Sequence, residues 1–225
     1  MQLRFEVSPY TDSIKQMRVP RTTDLAKRLG LITPSQLSLR GFSLTTPVAS
    51  FNPGLAVEGE EALVFPRLIL GYYTYSSVIG RLTITLEEIL SGIPRDRRIP
   101  VDIVLGPDNY LDRWGAEDPR IQRFGDLFAM IYVGRTQQYH MGGSYKRTLP
   151  IVAFSEDKGV AWRKTVGFTL PNPLETLMIS NKDTVLLDTE KGLVILHRPN
   201  LVNMAPCLWA SPTQWGINNL IRGEL

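Results

Sequence analysis

Residues 116–121 read AEDPRI and place two acids, Glu117 and Asp118, at the start of an apolar segment typical of a strand. Two neighbouring carboxylates can supply a general acid together with a general base or a nucleophile. Side chains alternate along a strand, so we expect these acids to point to opposite faces, with one functional acid and one supporting acid. The alternative is a solvated turn in which both acids pair with Arg120.

Composition limits the class of protein. The chain has 225 residues, 43% of them hydrophobic, and a formal net charge of +3, which suits an anionic ligand but is too weak to indicate nucleic acid. Its single cysteine, Cys207, excludes an intrachain disulfide and lies in the apolar stretch APCLWAS, so we expect a buried structural thiol and a reducing, cytoplasmic location. No apolar stretch approaches the length of a membrane-spanning helix, and the N-terminal MQLRFEVSPY lacks the hydrophobic core of a signal peptide.

The residues beyond position 50 alternate between short apolar runs and turn signals, which predicts antiparallel hairpins. Three segments repeat the same order of polar cluster, strand, turn, strand and arginine: FNPGLAVEGEEALVFPR from Phe51, EDPRIQRFGDLFAMIYVGR from Glu117 and NKDTVLLDTEKGLVILHR from Asn181. Asn52, Asp118 and Lys182 are equivalent in this alignment, at spacings of 66 (118 − 52) and 64 (182 − 118) residues. Such a repeat predicts an all-β propeller of antiparallel four-stranded blades, whose innermost strands bring these positions to one pocket.

Two further patterns carry structural predictions. TTDLAKRLGLI, residues 22–32, is the best helix candidate, and EDPR and LEEIL are candidate helical turns. SEDKGVAW, residues 155–162, fits an S-x-D-x-G-x-x-W turn between outer strands: Asp157 would accept from turn amides, Gly159 would be left-handed and Trp162 would pack between blades. We treat the chain as one domain over residues 1–225, with an N-terminal segment 1–50 and units beginning near 51, 117 and 181.

Taken together, GAEDPRI, the upstream FNPG and the downstream NKD and LHRP resemble glycoside hydrolase family 130, over roughly residues 50–217. That family contains β-mannoside phosphorylases and some β-mannosidases on a five-bladed β-propeller. The resemblance implies that Asp118 is the single general acid of an inverting phosphorolysis that converts a β-mannoside and phosphate to α-mannose 1-phosphate. An inverting phosphorylase needs no second carboxylate, because phosphate supplies the nucleophilic oxygen.

The resemblance also implies ligands for both substrates. The residues expected to hold phosphate by charge-assisted hydrogen bonds are Arg135, Arg147, His197 and Arg198. The residues expected to contact the mannosyl unit are Asn52, Arg67, Lys182 and Asp183. His197 could equally be a satisfied structural histidine, and Asn52 with Pro53-Gly54 could equally form a turn. The loop 136–146, with Tyr139, His140, Gly142, Gly143 and Tyr145, could be a lid, an acceptor-site wall or a solvated hairpin loop.

The family's C-terminal motifs find no match before Leu225, which leaves open whether the ring is complete. Hydrolysis by the same site and a shortened, non-catalytic propeller that binds glycans are therefore kept as alternatives. The two histidines lie 57 residues apart (197 − 140), and we see no metal-ligand spacing. We expect no cofactor beyond phosphate as co-substrate, a small oligosaccharide as partner, and no nucleic acid or membrane. The oligomeric state stays open.

Overall fold

The computed structural model describes residues 6, 9–17, 19–23, 25–73, 75–138 and 146–223, and strands dominate this part of the chain. The strands form three sheets that follow one another along the sequence. Four short helices connect or flank them: α1 Thr11–Met17, α2 Leu86–Ser91, α3 Leu174–Leu177 and α4 Ile217–Arg222. A 3₁₀ turn at Pro34–Gln36 precedes the first strand. None of the described helices has the length and apolar character needed to cross a membrane.

The first sheet is an antiparallel meander with one added strand. Its strands in chain order are β1 Leu37–Leu39, β2 Ala49–Glu58, β3 Glu61–Ile69, β4 Ser77–Thr85 and β5 Ile99–Leu105. The spatial order is β1-β5-β4-β3-β2, with β1 parallel to β5 at one edge and β2 at the other. The N-terminal segment thus adds a strand to the first blade.

The second sheet is a four-stranded blade. Its strands, β6 Ala116–Phe124, β7 Leu127–Arg135, β8 Thr148–Ser155 and β9 Arg163–Gly167, are antiparallel and keep their sequence order. Every residue of β8 and seven consecutive residues of β7 are buried. These strands lack the polar alternation of a sheet with one solvated face because neighbouring sheets cover both of their faces.

The third sheet contains β10 Met178–Thr189, β11 Gly192–Leu201 and β12 Trp209–Pro212 in that order. The hairpins β2–β3, β6–β7 and β10–β11 lie in the three segments that were aligned from the sequence. The first strand of each hairpin stands at the edge of its sheet, as the innermost strand of a propeller blade does.

Two apolar clusters hold the blades together. One joins Leu63, Phe65 and Ile79 of the first sheet to Met130 and Tyr132 of the second. The other joins the opposite face of the second sheet to the third and contains Ile131, Phe154, Leu186, Leu193, Ile195 and Leu220. Alternate residues of β7 enter different clusters, so this strand fixes the position of both neighbouring blades.

Close polar and backbone contacts also connect the innermost strands. A Cβ added at Gly54 would lie 2.9 Å from the carbonyl oxygen of Pro119, so only glycine allows β2 this near to β6. On the other side of β6, the amide of Gln122 donates to the carbonyl of Leu186 (2.6 Å) and accepts from its N–H (2.8 Å). These contacts hold β6 close to both β2 and β10.

The S-x-D-x-G-x-x-W prediction is confirmed. Asp157 Oδ1 accepts from the N–H groups of Val160 (3.1 Å) and Ala161 (3.0 Å), and these amides hold the pKa of Asp157 below its ordinary value. Gly159 has a φ of +84°. Trp162 packs edge-on against Phe65 of the first sheet with ring centroids 5.8 Å apart, which ties the second blade to the first.

Three local predictions are wrong. No helix forms in the described part of 22–32, where Leu25 is 95% and Leu31 77% exposed: these residues have no apolar surface to pack against, and propensity alone rarely holds so short a helix. EDPR lies within β6, whereas LEEIL does form α2, with Thr85 as its N-cap. Cys207 is exposed rather than buried, because its loop runs over the surface, where its Sγ accepts from the indole N–H of Trp209 (3.0 Å).

Candidate active site

A one-residue bulge recurs at the start of each innermost strand. In β6, Glu117 pairs with Val133 and Arg120 with Ile131, so one extra residue is accommodated around Asp118. The same shift occurs in β2 between Phe51 and Gly54, and in β10 between Lys182 and Val185. The extra residue in each case has a left-handed backbone: Asn52 at φ +47°, Asp118 at +50° and Asp183 at +56°.

This register corrects two predicted equivalences. The residue equivalent to Asp118 in the third blade is Asp183, and Lys182 is equivalent to Glu117. The alignment from sequence was one residue out because it followed the polar cluster rather than the bulge. Arg67 and Arg198 do occupy equivalent positions, because each pairs with the residue just before a bulge, Phe51 or Lys182. In the second blade this position is taken by Val133, and Arg135 lies two residues further along β7.

The bulge also changes where the two adjacent acids point. Alternation predicted opposite faces, but both carboxylates contact one guanidinium: Arg67 Nη2 donates to Glu117 Oε1 (2.8 Å) and Arg67 Nη1 donates to Asp118 Oδ1 (3.1 Å). The prediction was wrong because the left-handed residue interrupts the pleat between these two side chains. Asn52 completes the group by donating from Nδ2 to Asp118 Oδ1 (2.9 Å).

Arg67 is buried at the centre of this cluster. Its side chain is 7% exposed, and its guanidinium lies 4.8 Å from the ring centroid of Phe51 and 5.5 Å from that of Tyr75. The two rings cover the guanidinium, and its two amino groups donate to the two acids. Both stacking and ion pairing therefore fix the orientation of the Arg67 side chain. Phe51 and Tyr75 were not singled out from sequence, although Phe51 directly precedes the first bulge residue.

Glu117 is almost fully buried and faces charges from three other strands. Burial raises the pKa of Glu117 above its ordinary value, and the nearby Asp118 adds to this effect, whereas Arg67, Arg135 and Lys182 act in the opposite direction. Arg135 Nη1 lies 3.8 Å from Glu117 Oε1. The cluster therefore gathers Arg67, Arg135 and Lys182, three of the residues predicted to bind substrate or phosphate, around the Glu117–Asp118 pair.

Asp118 presents its two carboxylate oxygens differently. Oδ1 accepts from both Asn52 and Arg67, and the side chain is 17% exposed. No donor from the described residues reaches Oδ2. The described residues thus anchor one oxygen of this carboxylate and leave the other without a donor of their own.

Asp183 has a comparable cross-blade arrangement in the third sheet. Its Oδ2 accepts from Arg198 Nε (2.6 Å), and its Oδ1 accepts from Arg120 Nη2 of the second sheet (3.3 Å). Arg120 therefore pairs with Asp183, not with the adjacent acids that the turn alternative assigned to it. The charge of Arg198 is engaged by Asp183 in this structure.

His197 faces away from Arg198, as alternation along β11 requires. Its Nδ1 shares a hydrogen bond with Asn181 Oδ1 (3.1 Å), its Nε2 shares one with Ser211 Oγ (2.8 Å), and Trp209 packs edge-on against the ring. Burial lowers the pKa of His197 to about 4, so the ring is neutral near pH 7. The structure does not bring His197 and Arg198 together as neighbouring ligands.

Arg147 lies where the second sheet contacts the third. The backbone N–H of Arg147 donates to the carbonyl of Ile179 (2.7 Å), which ties the start of β8 to β10. Tyr139, His140, Gly142, Gly143 and Tyr145 fall outside the described residues. Within the described part of the chain, no group of three or more histidine, cysteine and acidic side chains is arranged to hold a metal ion.

This combination of antiparallel blades, with polar residues converging at the starts of their innermost strands, defines the β-propeller fold of the five-bladed glycosidase type. Sucrose-6-phosphate hydrolase from Lactobacillus gasseri has a similar fold, with a TM-score of 0.50 and 14% identity over 72% of this chain and 32% of that one. The chain belongs to glycoside hydrolase family 130: the family's sequence model, described as beta-1,4-mannooligosaccharide phosphorylase, matches residues 16–218.

Two other solved structures are also similar. A putative glycoside hydrolase from Bacteroides ovatus has 18% identity and a TM-score of 0.46 over 74% of this chain and 48% of that one. The beta-1,2-mannobiose phosphorylase from Listeria innocua has 13% identity and a TM-score of 0.44 over 76% of this chain and 57% of that one. The chain thus spans about half the length, or less, of the first solved structures that it matches. No curated protein matched the sequence.

Proposed function

We propose that this chain carries the acid-bearing site of an inverting β-mannoside phosphorylase, with Asp118 as the general acid. The observation that carries the proposal is the anchoring of Asp118 in a member of family 130: Asn52 and Arg67 hold Oδ1, while Oδ2 is left for a proton. A single acid beside a basic cluster suits phosphorolysis, because phosphate brings the nucleophile that a second carboxylate would otherwise have to generate.

The reaction balances without a cofactor. The proton of Asp118 passes to the glycosidic oxygen, directly or through a mannosyl hydroxyl, and the bond between that oxygen and the anomeric carbon breaks. A phosphate oxygen bonds to the anomeric carbon from the opposite face, which inverts the configuration. The products are α-mannose 1-phosphate and the freed sugar.

The proposed ligands differ in how well their surroundings support them. Arg135 and Lys182 lie beside the Glu117–Asp118 pair, so phosphate there would meet positive charge near the acid. Arg198 would have to share its charge with Asp183, and His197 would have to give up a protein partner to bind phosphate. Arg147 is kept as a ligand on the family resemblance. Asn52, Arg67, Lys182 and Asp183 remain the proposed contacts of the mannosyl unit.

The test is turnover of β-1,4- and β-1,2-mannobiose and p-nitrophenyl β-mannoside, with and without phosphate. We expect phosphate-dependent release of α-mannose 1-phosphate, identified by ³¹P NMR. Asp118→Asn should abolish turnover of the mannobioses while leaving the folded spectrum unchanged. Product formation without phosphate would contradict phosphorolysis, and sugar binding without any turnover would favour the glycan-binding alternative.

Hydrolysis is the second candidate, and Asp183 is the observation that favours it. This carboxylate occupies the bulge position equivalent to Asp118, so the innermost strands carry two acids in the same backbone setting. An inverting hydrolase needs such a second carboxylate to activate water. Phosphate-independent turnover that Asp183→Asn abolishes would support this candidate.

A further inference from the structure

Glu117 is a buried acid next to the proposed general acid, and the proposed reaction does not use it. Its side chain is 7% exposed, and its closest partner is Arg67 Nη2 at 2.8 Å. A buried carboxylate is costly unless it is paired and hydrogen-bonded, so its presence beside the acid calls for a role.

The geometry links Glu117 to Asp118 through Arg67. One amino group of the guanidinium donates to Glu117 and the other to Asp118, and a planar fork cannot turn toward one acid without leaving the other. The Arg67–Glu117 pair therefore determines where Nη1 points. Nη1, together with Asn52, in turn determines that Oδ1 of Asp118 is anchored and Oδ2 is not.

The charges also connect the two acids. The groups that face Glu117 are Arg67 from β3, Asp118 from β6, Arg135 from β7 and Lys182 from β10. The negative charge of Asp118 disfavours ionisation of Glu117. The two acids therefore share one set of cations, and Arg67 contacts both carboxylates.

We propose that Glu117 is a positioning residue for the acid: it holds one amino group of Arg67, so that the other stays aimed at Asp118 Oδ1. Without Glu117 the guanidinium can turn away, and Asp118 Oδ1 loses one of its two donors. The catalytic part of this inference rests on the proposed function, whereas the link between the two acids through Arg67 does not.

The decisive measurement is a crystal structure of Glu117→Ala, which removes the acceptor that holds Arg67 Nη2. We expect Arg67 to turn, so that the distance from Nη1 to Asp118 Oδ1, 3.1 Å in the wild-type chain, lengthens beyond hydrogen-bond range. The matched control is Glu190→Ala, in the exposed β10–β11 turn, which should leave this contact unchanged. An unchanged Arg67–Asp118 contact in Glu117→Ala overturns the proposal, whether or not the protein turns over a mannoside.

Activity supplies the second readout. Glu117→Gln keeps an oxygen for Arg67 and should keep most of the wild-type kcat for phosphorolysis of a mannobiose. Glu117→Asp shortens the side chain, so it should lower kcat at least tenfold at an unchanged KM through the misaimed Arg67. Should Glu117→Ala not fold, unchanged kcat in Glu117→Asp would overturn the positioning role.

These outcomes separate the inference from the proposed function. A lengthened Arg67–Asp118 contact in Glu117→Ala, with no turnover of any mannoside by the wild-type chain, would reject the phosphorylase and keep the link between the acids. Phosphate-dependent turnover with an unchanged contact would keep the phosphorylase and reject the role of Glu117.

Discussion

Asn52 donates a hydrogen bond from Nδ2 to Asp118 Oδ1 over 2.9 Å, although 66 residues of chain separate the two. Both residues occupy the same left-handed bulge position, one in the first blade and one in the second. The repeat therefore supplies the donor and the acceptor from the same local structure. Asparagine and aspartate suit this position because they tolerate the left-handed conformation better than other side chains do.

Removing the Asn52 side chain should lower the catalytic activity without unfolding the blade. In Asn52→Gly the left-handed backbone is retained, and Asp118 Oδ1 loses one of its two donors. We expect kcat/KM for phosphorolysis of a mannobiose to fall about tenfold, as for loss of a hydrogen bond to a charged group. Asn203→Gly is the matched control, since Asn203 is an exposed left-handed asparagine outside the cluster. Equal activity in the two variants would contradict the role of Asn52.

The hairpins and the repeat could be predicted from the sequence because local patterns specify them. Alternating apolar runs and glycine-containing turns define β2–β3, β6–β7 and β10–β11, and the SEDKGVAW turn forms through contacts within eight residues. The helix predicted over 22–32 failed because its pattern is local but its stability needs a packing surface that the fold does not supply.

The arrangement of the acids could not be predicted in the same way, because one inserted residue reverses the expected direction of a side chain. A signal was nevertheless present: Asn52, Asp118 and Asp183 are all residues that tolerate a left-handed backbone, whereas Lys182 is not enriched there. The burial of His197 was also indicated, since it shares the face of Leu193 and Ile195 at alternate positions of β11. The hydrogen-bond partners of its two ring nitrogens lie on other strands, so the sequence of β11 alone could not predict them.

The approach of β2 to β6 should be sensitive to one added methyl group. In Gly54→Ala the new Cβ would lie 2.9 Å from the Pro119 carbonyl oxygen, so the start of β6 must shift. We expect the free energy of unfolding to fall by about 1–3 kcal/mol, as in other overpacked sites, together with a loss of activity as Asp118 moves. Urea denaturation measures the first effect and turnover the second.

Gly30→Ala is the control for this prediction, because an added Cβ there meets nothing within 4 Å. Its unfolding free energy should stay within about 0.5 kcal/mol of wild type. Equal stability of the two alanine variants would show that β2 does not require glycine at position 54.

The Arg67–Glu117 pair should be strongly coupled in stability. Arg67→Met or Glu117→Leu alone leaves a buried charge without its main partner, and we expect each to lower the free energy of unfolding by about 3–5 kcal/mol. The double variant removes both charges and should lose less than the sum of the two single losses. Chemical denaturation of the four proteins gives the coupling energy, and additive losses would exclude a direct interaction.

His197 should make stability depend on pH in a range where few other groups titrate. Burial lowers its folded-state pKa to about 4, whereas an unfolded histidine has a pKa of about 6.5, so the unfolded chain binds the extra proton between these values. The contribution of His197 to stability is therefore complete above about pH 6.5 and is lost as the pH falls toward 4, by up to about 3 kcal/mol.

Urea denaturation between pH 5 and 7.5 should show this loss in wild type and its absence in His197→Asn. The control is His140→Gln, which replaces the other histidine of the chain and should keep the wild-type dependence. A wild-type curve that is flat over this range would show that the folded protein does not hold His197 neutral, and would contradict this prediction.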